Sequence, residues 1–149
     1  MRLAIGCDEA GFALKEALKD ALAPRGYELT DYGVGEGETA LYPDVAIAVG
    51  EAVARGAHDR AILICGTGIG VAISANKVKG VRAAQAHDTY SAERAQKSND
   101  AQILCLGARV IGHELAKTVV DAWLGSHFEG GRSAPKVERI RSYEAGPAA

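Results

Sequence analysis

At 149 residues and 48% apolar content the chain holds enough hydrophobic material for the core of one domain, 1–149, and little for a second. Its formal net charge of −2, with both signs interspersed, excludes the basic field of a nucleic-acid binder and a polybasic membrane patch, leaving a small or medium-sized ligand as the expected partner. No run is long and apolar enough to span a bilayer, and Met1-Arg2-Leu3-Ala4-Ile5 lacks a signal-peptide pattern, so a cytoplasmic protein is expected.

Strand-like apolar runs at 2–6, 28–32, 61–64, 80–86 and 103–106 alternate along the chain with helical patterns at 12–22, 43–55, 70–76, 90–97 and 112–124. Continuous apolar strands predict burial on both faces, and right-handed crossovers then give an α/β fold. The expected architecture is a Rossmann-like three-layer sandwich around a five-stranded parallel sheet. Residues 128–149, with Arg132, Lys136, Arg139 and Arg141, predict a C-terminal helix projecting from the core and a frayed Gly146-Pro147 end. In such sheets ligands bind beyond the carboxyl ends of the strands, where Cys7-Asp8 and Cys65-Gly66 fall.

The most informative segment is Ile62-Leu63-Ile64-Cys65-Gly66-Thr67-Gly68-Ile69-Gly70, an apolar strand running into a cysteine and three alternate glycines. Glycines let main-chain N–H groups turn toward an anion, and a thiol in such a cradle is expected to ionise more readily than a free one. That combination suits proton abstraction beside a carbonyl whose oxygen becomes anionic. The plain alternative is a cysteine filling the end of a strand, which is how Cys7 and Cys105 read. An odd count of three cysteines without paired spacing argues against disulfides, and four scattered histidines give no zinc pattern, so no metal is expected.

Other candidates fall at strand mouths. Asp8 reads both as a helix N-cap and as a partner for a sugar hydroxyl. Tyr42, before Pro43, reads as a lid on a ligand or on the core. Arg109, in a Gly-rich bend, suits an anion. Asn99, in Lys97-Ser98-Asn99-Asp100, reads as turn or ligand contact. His87 follows a strand and precedes Asp88, which could orient its imidazole, whereas His58, His113 and His127 read as solvated.

The strings Gly6-Cys7-Asp8, Tyr42-Pro43, Ile64 to Gly70, Ala75-Asn76-Lys77, Gly80-Val81-Arg82-Ala83, Ser98-Asn99-Asp100, Gly107 to Gly112 and Gly130-Gly131-Arg132 resemble, in order and spacing, the ribose-5-phosphate isomerase B and galactose-6-phosphate isomerase family. The resemblance covers nearly the whole chain. It implies a cofactor-independent aldose–ketose isomerase of carbohydrate metabolism acting through an enediolate. It also implies a homodimer or tetramer whose active sites are shared between subunits. Carried over by position, the base falls on Cys65, with Thr67 near the shuttling proton. The Gly66, Gly68, Ile69 and Gly70 backbone would hold the enediolate oxygen, with Asn99 reaching in across the interface. Asp8 and Tyr42 would hold hydroxyls, Ser98 would line the substrate with His87, which its own strand-end position puts there, and Arg109, Arg132 and Lys136 would bind phosphate.

Two departures bear on the substrate. The family's usual Asp-His is Asp8-Glu9 here, and a glutamate beside phosphate repels it unless it turns away or meets a lysine. The histidine credited in the family with opening a furanose ring is Ser98, a poor proton shuttle. A tetrose 4-phosphate has its ring-forming oxygen blocked and needs no opening acid. The chain resembles most the tetrulose-4-phosphate isomerase branch, so erythrulose 4-phosphate is the expected substrate and ribose 5-phosphate, in the pentose phosphate series, the alternative. From other classes, a non-catalytic phosphometabolite-binding subunit and a dinucleotide-binding domain stay open, the latter lacking its third glycine at Val71.

Overall fold

The computed structural model describes residues 1–147; Ala148 and Ala149, the last of the tail, lie outside the described residues. Five strands, β1 (Arg2–Cys7), β2 (Glu28–Asp31), β3 (Arg60–Cys65), β4 (Ala83–Gln85) and β5 (Ile103–Gly107), form one parallel sheet in the order β2-β1-β3-β5-β4. Six helices flank it: α1 (Phe12–Leu22), α2 (Tyr42–Ala54), α3 (Ile69–Ala75), α4 (Thr89–Asn99), α5 (His113–Leu124) and α6 (Ala134–Ala145).

Period-two alternation builds two cores, one on each face. Leu3, Ile5, Cys7, Ile62, Ile64, Leu104 and Leu106 meet α1, α4 and α5 around Trp123. Ala4, Ala61, Leu63, Cys65, Ile103 and Cys105 meet α2 and α3 through Val45, Val49, Val71 and Ala75. The three-layer expectation therefore holds, and the alternation decides which layer Cys65 faces. Connections leaving β1 and β5 go to one face and that leaving β3 to the other. The β3 mouth, flanked by β1 and β5, is thus a crevice between diverging chains.

The outer strands depart from the expected double burial. β2 is mostly exposed, and β4 shrinks from the expected 80–86 to three partly exposed residues. Each has a neighbour on one side only. At β4 the missing neighbour is replaced by Asn76, whose Nδ2 donates to the Ala83 carbonyl and whose Oδ1 accepts from the Ala83 amide, both at 2.8 Å. The tail helix starts at Ala134, after Gly130 and Gly131 with φ of 66° and 53°, and Val137 is its one buried residue. It projects, as the sequence suggests.

A buried lysine secures the connection that leads to Tyr42. Lys15, 2% exposed, donates to Val34 O at 2.7 Å and to Asp31 Oδ2 at 2.9 Å, and Val34 N in turn bonds Cys7 O. Burial acts to raise the Asp31 pKa, but hydrogen bonds from Lys15, Lys19 and the Gly33 amide outweigh it and hold the carboxyl below its ordinary value. The stability this gives is fully present above the ordinary carboxylate pKa of about 4 and is lost as pH falls through the lower folded value. Asp31→Ala should cost roughly 2 kcal/mol in urea unfolding at pH 7, less than for a fully buried pair because Val34 and Glu16 still face the ammonium. It should also flatten the acid limb of the stability curve.

Candidate active site

Where β1, β3 and β5 end, a cleft of about 450 Å³ opens, lined by Asp8, Glu9, Tyr42, Cys65, Thr67 and Arg109 together with Gly66, Ile69, Gly70 and Ile73. Cys65 closes β3 at 4% exposure, and its Sγ accepts from the Gly68 amide at 3.2 Å. Thr67 Oγ1 accepts from the Ile69 amide at 3.2 Å. Two of the cradle amides thus already hold protein acceptors, a correction to the expectation that the whole Gly66–Gly70 backbone faces an oxyanion. The Gly66, Thr67 and Gly70 amides carry no hydrogen bond to another main-chain group or side chain among the described residues.

The three glycines serve three different ends. Gly68 has φ of 76°, and a Cβ there would stand 2.8 Å from the Leu106 carbonyl carbon. At Gly70 a Cβ would strike the Tyr42 ring at 2.5 Å, so the glycine lets the phenol lie on the first turn of α3. At Gly66 it would meet Arg109 Nη1 at 3.2 Å. Arg109 is exposed and has no ion pair among the described residues, which leaves its guanidinium open to an anion over the Cys65 loop.

Asp8 is both cap and wall. Its Oδ1 accepts from Ala10 N and Gly11 N at 3.1 and 3.3 Å. Burial, with Glu9 adding repulsion, raises its pKa against the pull of those amides and Arg109. Glu9 neither turns fully away nor meets a lysine: it lines the cleft while Oε2 accepts from Ala40 N at 3.3 Å, tying it to the segment before Tyr42. Asp88 does not orient His87, because its Oδ1 caps α4 through Ser91 N at 2.6 Å. His87 Nε2 instead accepts the Gly107 amide at 2.8 Å.

A thiol, a carboxyl, a tyrosine and an unpaired guanidinium converging at a sheet mouth suit proton transfer on a small anionic substrate. A family model described as Ribose/Galactose Isomerase matches residues 3–140. The chain belongs to the ribose/galactose isomerase family. It is 57% identical to a D-erythrulose-4-phosphate isomerase of Pectobacterium atrosepticum, over 97% of this chain and 95% of that protein. It is 56% identical to a ribose-5-P isomerase B of Listeria innocua, over 97% of each. The structure of Clostridium thermocellum ribose-5-phosphate isomerase B superposes with a TM-score of 0.95 at 47% identity, covering 97% of this chain and 98% of that one. As a member of this family the chain is an enzyme, an isomerase.

Within this isomerase chain, Ser98, Asn99, Arg132 and Lys136 do not line the Cys65 cleft. The Ser98-Asn99 pair is not a turn but the end of α4. Arg82 holds that end by donating to the Asn99 and Asp100 carbonyls at 2.9–3.1 Å. Ser98 Oγ accepts from Arg94 Nε and Nη2 at 2.9 and 2.6 Å. Asn99 lines a separate groove of about 720 Å³ between α6 and the β4 edge, beside Ile140 and Tyr143. Sequence reasoning missed two neighbours of the site. Ile73 could have been found, since it lies one helical turn from Ile69 and is 57% exposed. Gln85, which donates to Thr67 O at 2.7 Å, carries no motif signal. Among the described residues no helix is long and apolar enough to cross a membrane, and no cluster of His, Cys, Asp and Glu could hold a metal.

Proposed function

We propose that the chain is a cofactor-independent aldose–ketose isomerase of a phosphorylated sugar, with Cys65 as base and an erythrulose 4-phosphate as substrate. The observation that carries the reaction class is Cys65 Sγ at the end of β3, in a cleft it shares with Asp8, Thr67 and Arg109. In the ketose-to-aldose direction the Cys65 thiolate removes a proton from C1. The electron pair moves to form the enediolate, with negative charge on O2. The resulting thiol returns the proton to C2, and Thr67 assists transfer of the hydroxyl proton between O1 and O2. The Gly66, Thr67 and Gly70 amides are the donors left for the oxyanion, each worth on the order of 3 kcal/mol in such a role. Asp8 Oδ2 and Tyr42 hold sugar hydroxyls, and Arg109 takes the phosphate.

The tetrulose reading is supported by the state of the two groups that could open a sugar ring. Ser98 Oγ is held by two Arg94 donors, and His87 Nε2 is occupied by the Gly107 amide. A four-carbon 4-phosphate, having no free ring-closing hydroxyl, needs neither. The test is kcat/KM on D-erythrulose 4-phosphate, L-erythrulose 4-phosphate and D-ribulose 5-phosphate: we expect at least about a tenfold preference for a tetrulose, equal to ~1.4 kcal/mol of transition-state discrimination. Preference for the pentulose would establish ribose-5-phosphate isomerase activity, which the Listeria relative's name favours.

Asn99, Arg132 and Lys136 fit this reading when a second copy supplies them, giving a cytoplasmic homodimer or tetramer of 1–149 domains with shared sites. Equal co-refolding of Cys65→Ala with Arg132→Ala should then recover activity that neither variant has alone. In random dimers roughly a quarter of the sites regain all native groups. No recovery above the sum of the two variants would place both residues in one chain's site.

A further inference from the structure

We infer that His87 and Gln85 are positioning residues: from the carboxyl end of β4 they grip the two loops that carry Cys65, Thr67 and Arg109, and His87 does so only as a neutral imidazole.

Neither residue lines the cleft, yet each ends on a loop that does. Gln85 Nε2 donates to Thr67 O at 2.7 Å, in the loop after β3. His87 Nε2 accepts from Gly107 N at 2.8 Å, at the last residue of β5, from which the next loop leaves. The two loops are joined to each other, Ala108 N donating to Cys65 O at 2.9 Å and Arg109 N to Gly66 O at 3.0 Å. They also touch without slack, since a Cβ on Gly107 would lie 2.6 Å from the Thr67 carbonyl carbon. Displacement of Gly107 is therefore passed to Thr67 and to the base of the Arg109 side chain. β4 itself is a three-residue edge strand, so these two side chains are how its end reaches the site.

Because Nε2 accepts an N–H, its tautomer carries the proton on Nδ1. A second proton on Nε2 would set N–H against N–H and break the contact. Burial lowers the His87 pKa below its ordinary value; among the described residues Asp88 is the one charged group bearing on the ring, and it opposes the effect. The group bonded to the imidazole from β5, the Gly107 amide, is uncharged. The contact is thus intact at neutral pH and is lost as pH falls through a value below about 6.5.

The kinetic part of this inference rests on the isomerase reading above; the hydrogen bond does not. The experiment uses the full chain and has two arms. In ligand-free protein, the Gly107 amide proton should titrate with the His87 ring, and Nε2 should show the nitrogen shift of an unprotonated acceptor at neutral pH. In His87→Gln, whose amide oxygen reaches the same place, the Gly107 amide should stop titrating. A protonated Nε2 at neutral pH or a Gly107 amide blind to His87 overturns the proposal whatever the enzyme turns over.

In the second arm, kcat against pH on erythrulose 4-phosphate and ribulose 5-phosphate should show an acid limb at the His87 value. His87→Gln should keep kcat within about threefold at neutral pH and lose that limb, while His87→Ala and Gln85→Ala drop kcat/KM about tenfold or more, as ångström-scale misplacement of reacting groups does. An acid limb unchanged in His87→Gln belongs to another group, such as Asp8, and overturns the proposal, as does His87→Ala with native kcat/KM. Wild-type protein inactive on both sugars counts against the isomerase reading and leaves the amide titration to decide this one.

Discussion

Replacing Cys65 with alanine is expected to lower kcat by about 10²–10⁴-fold, the range a positioned acid–base group supplies, with little change in KM. The same variant should stop exchange of solvent deuterium into the substrate carbon. The fold should survive. Cys65 is buried beside Val71 and Cys105, and losing its sulfur leaves a small gap and one unpaired Gly68 amide, a cost of about 1–2 kcal/mol. Thermal unfolding and phosphosugar binding by calorimetry separate that modest loss from the catalytic one. Turnover near the native rate would move the base to Asp8, which shares the cleft with Cys65 and whose carboxyl pKa burial already pushes up.

The second large effect is structural in origin and kinetic in outcome. Gly107→Ala places a methyl 2.6–2.8 Å from three Thr67 backbone atoms, where no rotamer change relieves the contact. The loops after β3 and β5 have to part, breaking the Ala108–Cys65 and Arg109–Gly66 hydrogen bonds. We expect a stability loss of about 3 kcal/mol, at the upper end for overpacking, and a fall in kcat/KM of about 10²-fold from misplacement of Thr67 and Arg109. Chemical denaturation and steady-state kinetics on the same preparation measure both. A variant as stable and active as the parent would mean that the two loops yield freely, which the close approach forbids.

Much of this site was legible because it depends on local chemistry. Period-two alternation through Ile62, Leu63 and Ile64 needs no partner to be read, and it places Cys65 at a strand mouth with Asp8 on the neighbouring strand's exit. What stayed hidden depends on residues far away in the chain. The glycines were legible as a cradle, but not that Gly70 makes room for Tyr42 or Gly66 for Arg109. Ser98 and Asn99 look like a turn until Arg82, just before β4, fastens the carbonyls at the helix end. The span of β4 could not be read from its apolar run, since an edge is defined by the neighbour it lacks. Asp88 stands next to His87 in sequence, yet capping α4 claims its carboxylate first.

With the Asn76 carboxamide seated on both main-chain groups of Ala83, the sheet ends at β4 as though a sixth strand were already there. Two copies meeting at that margin cannot pair strands through Ala83. A seam there is left to side chains, such as Ile140 and Tyr143 in the neighbouring groove, with Ala83 already satisfied on its own side. Such a seam can be re-lettered residue by residue while the scaffold stays fixed, and the edge is also shielded from the strand-to-strand templating that begins fibrils.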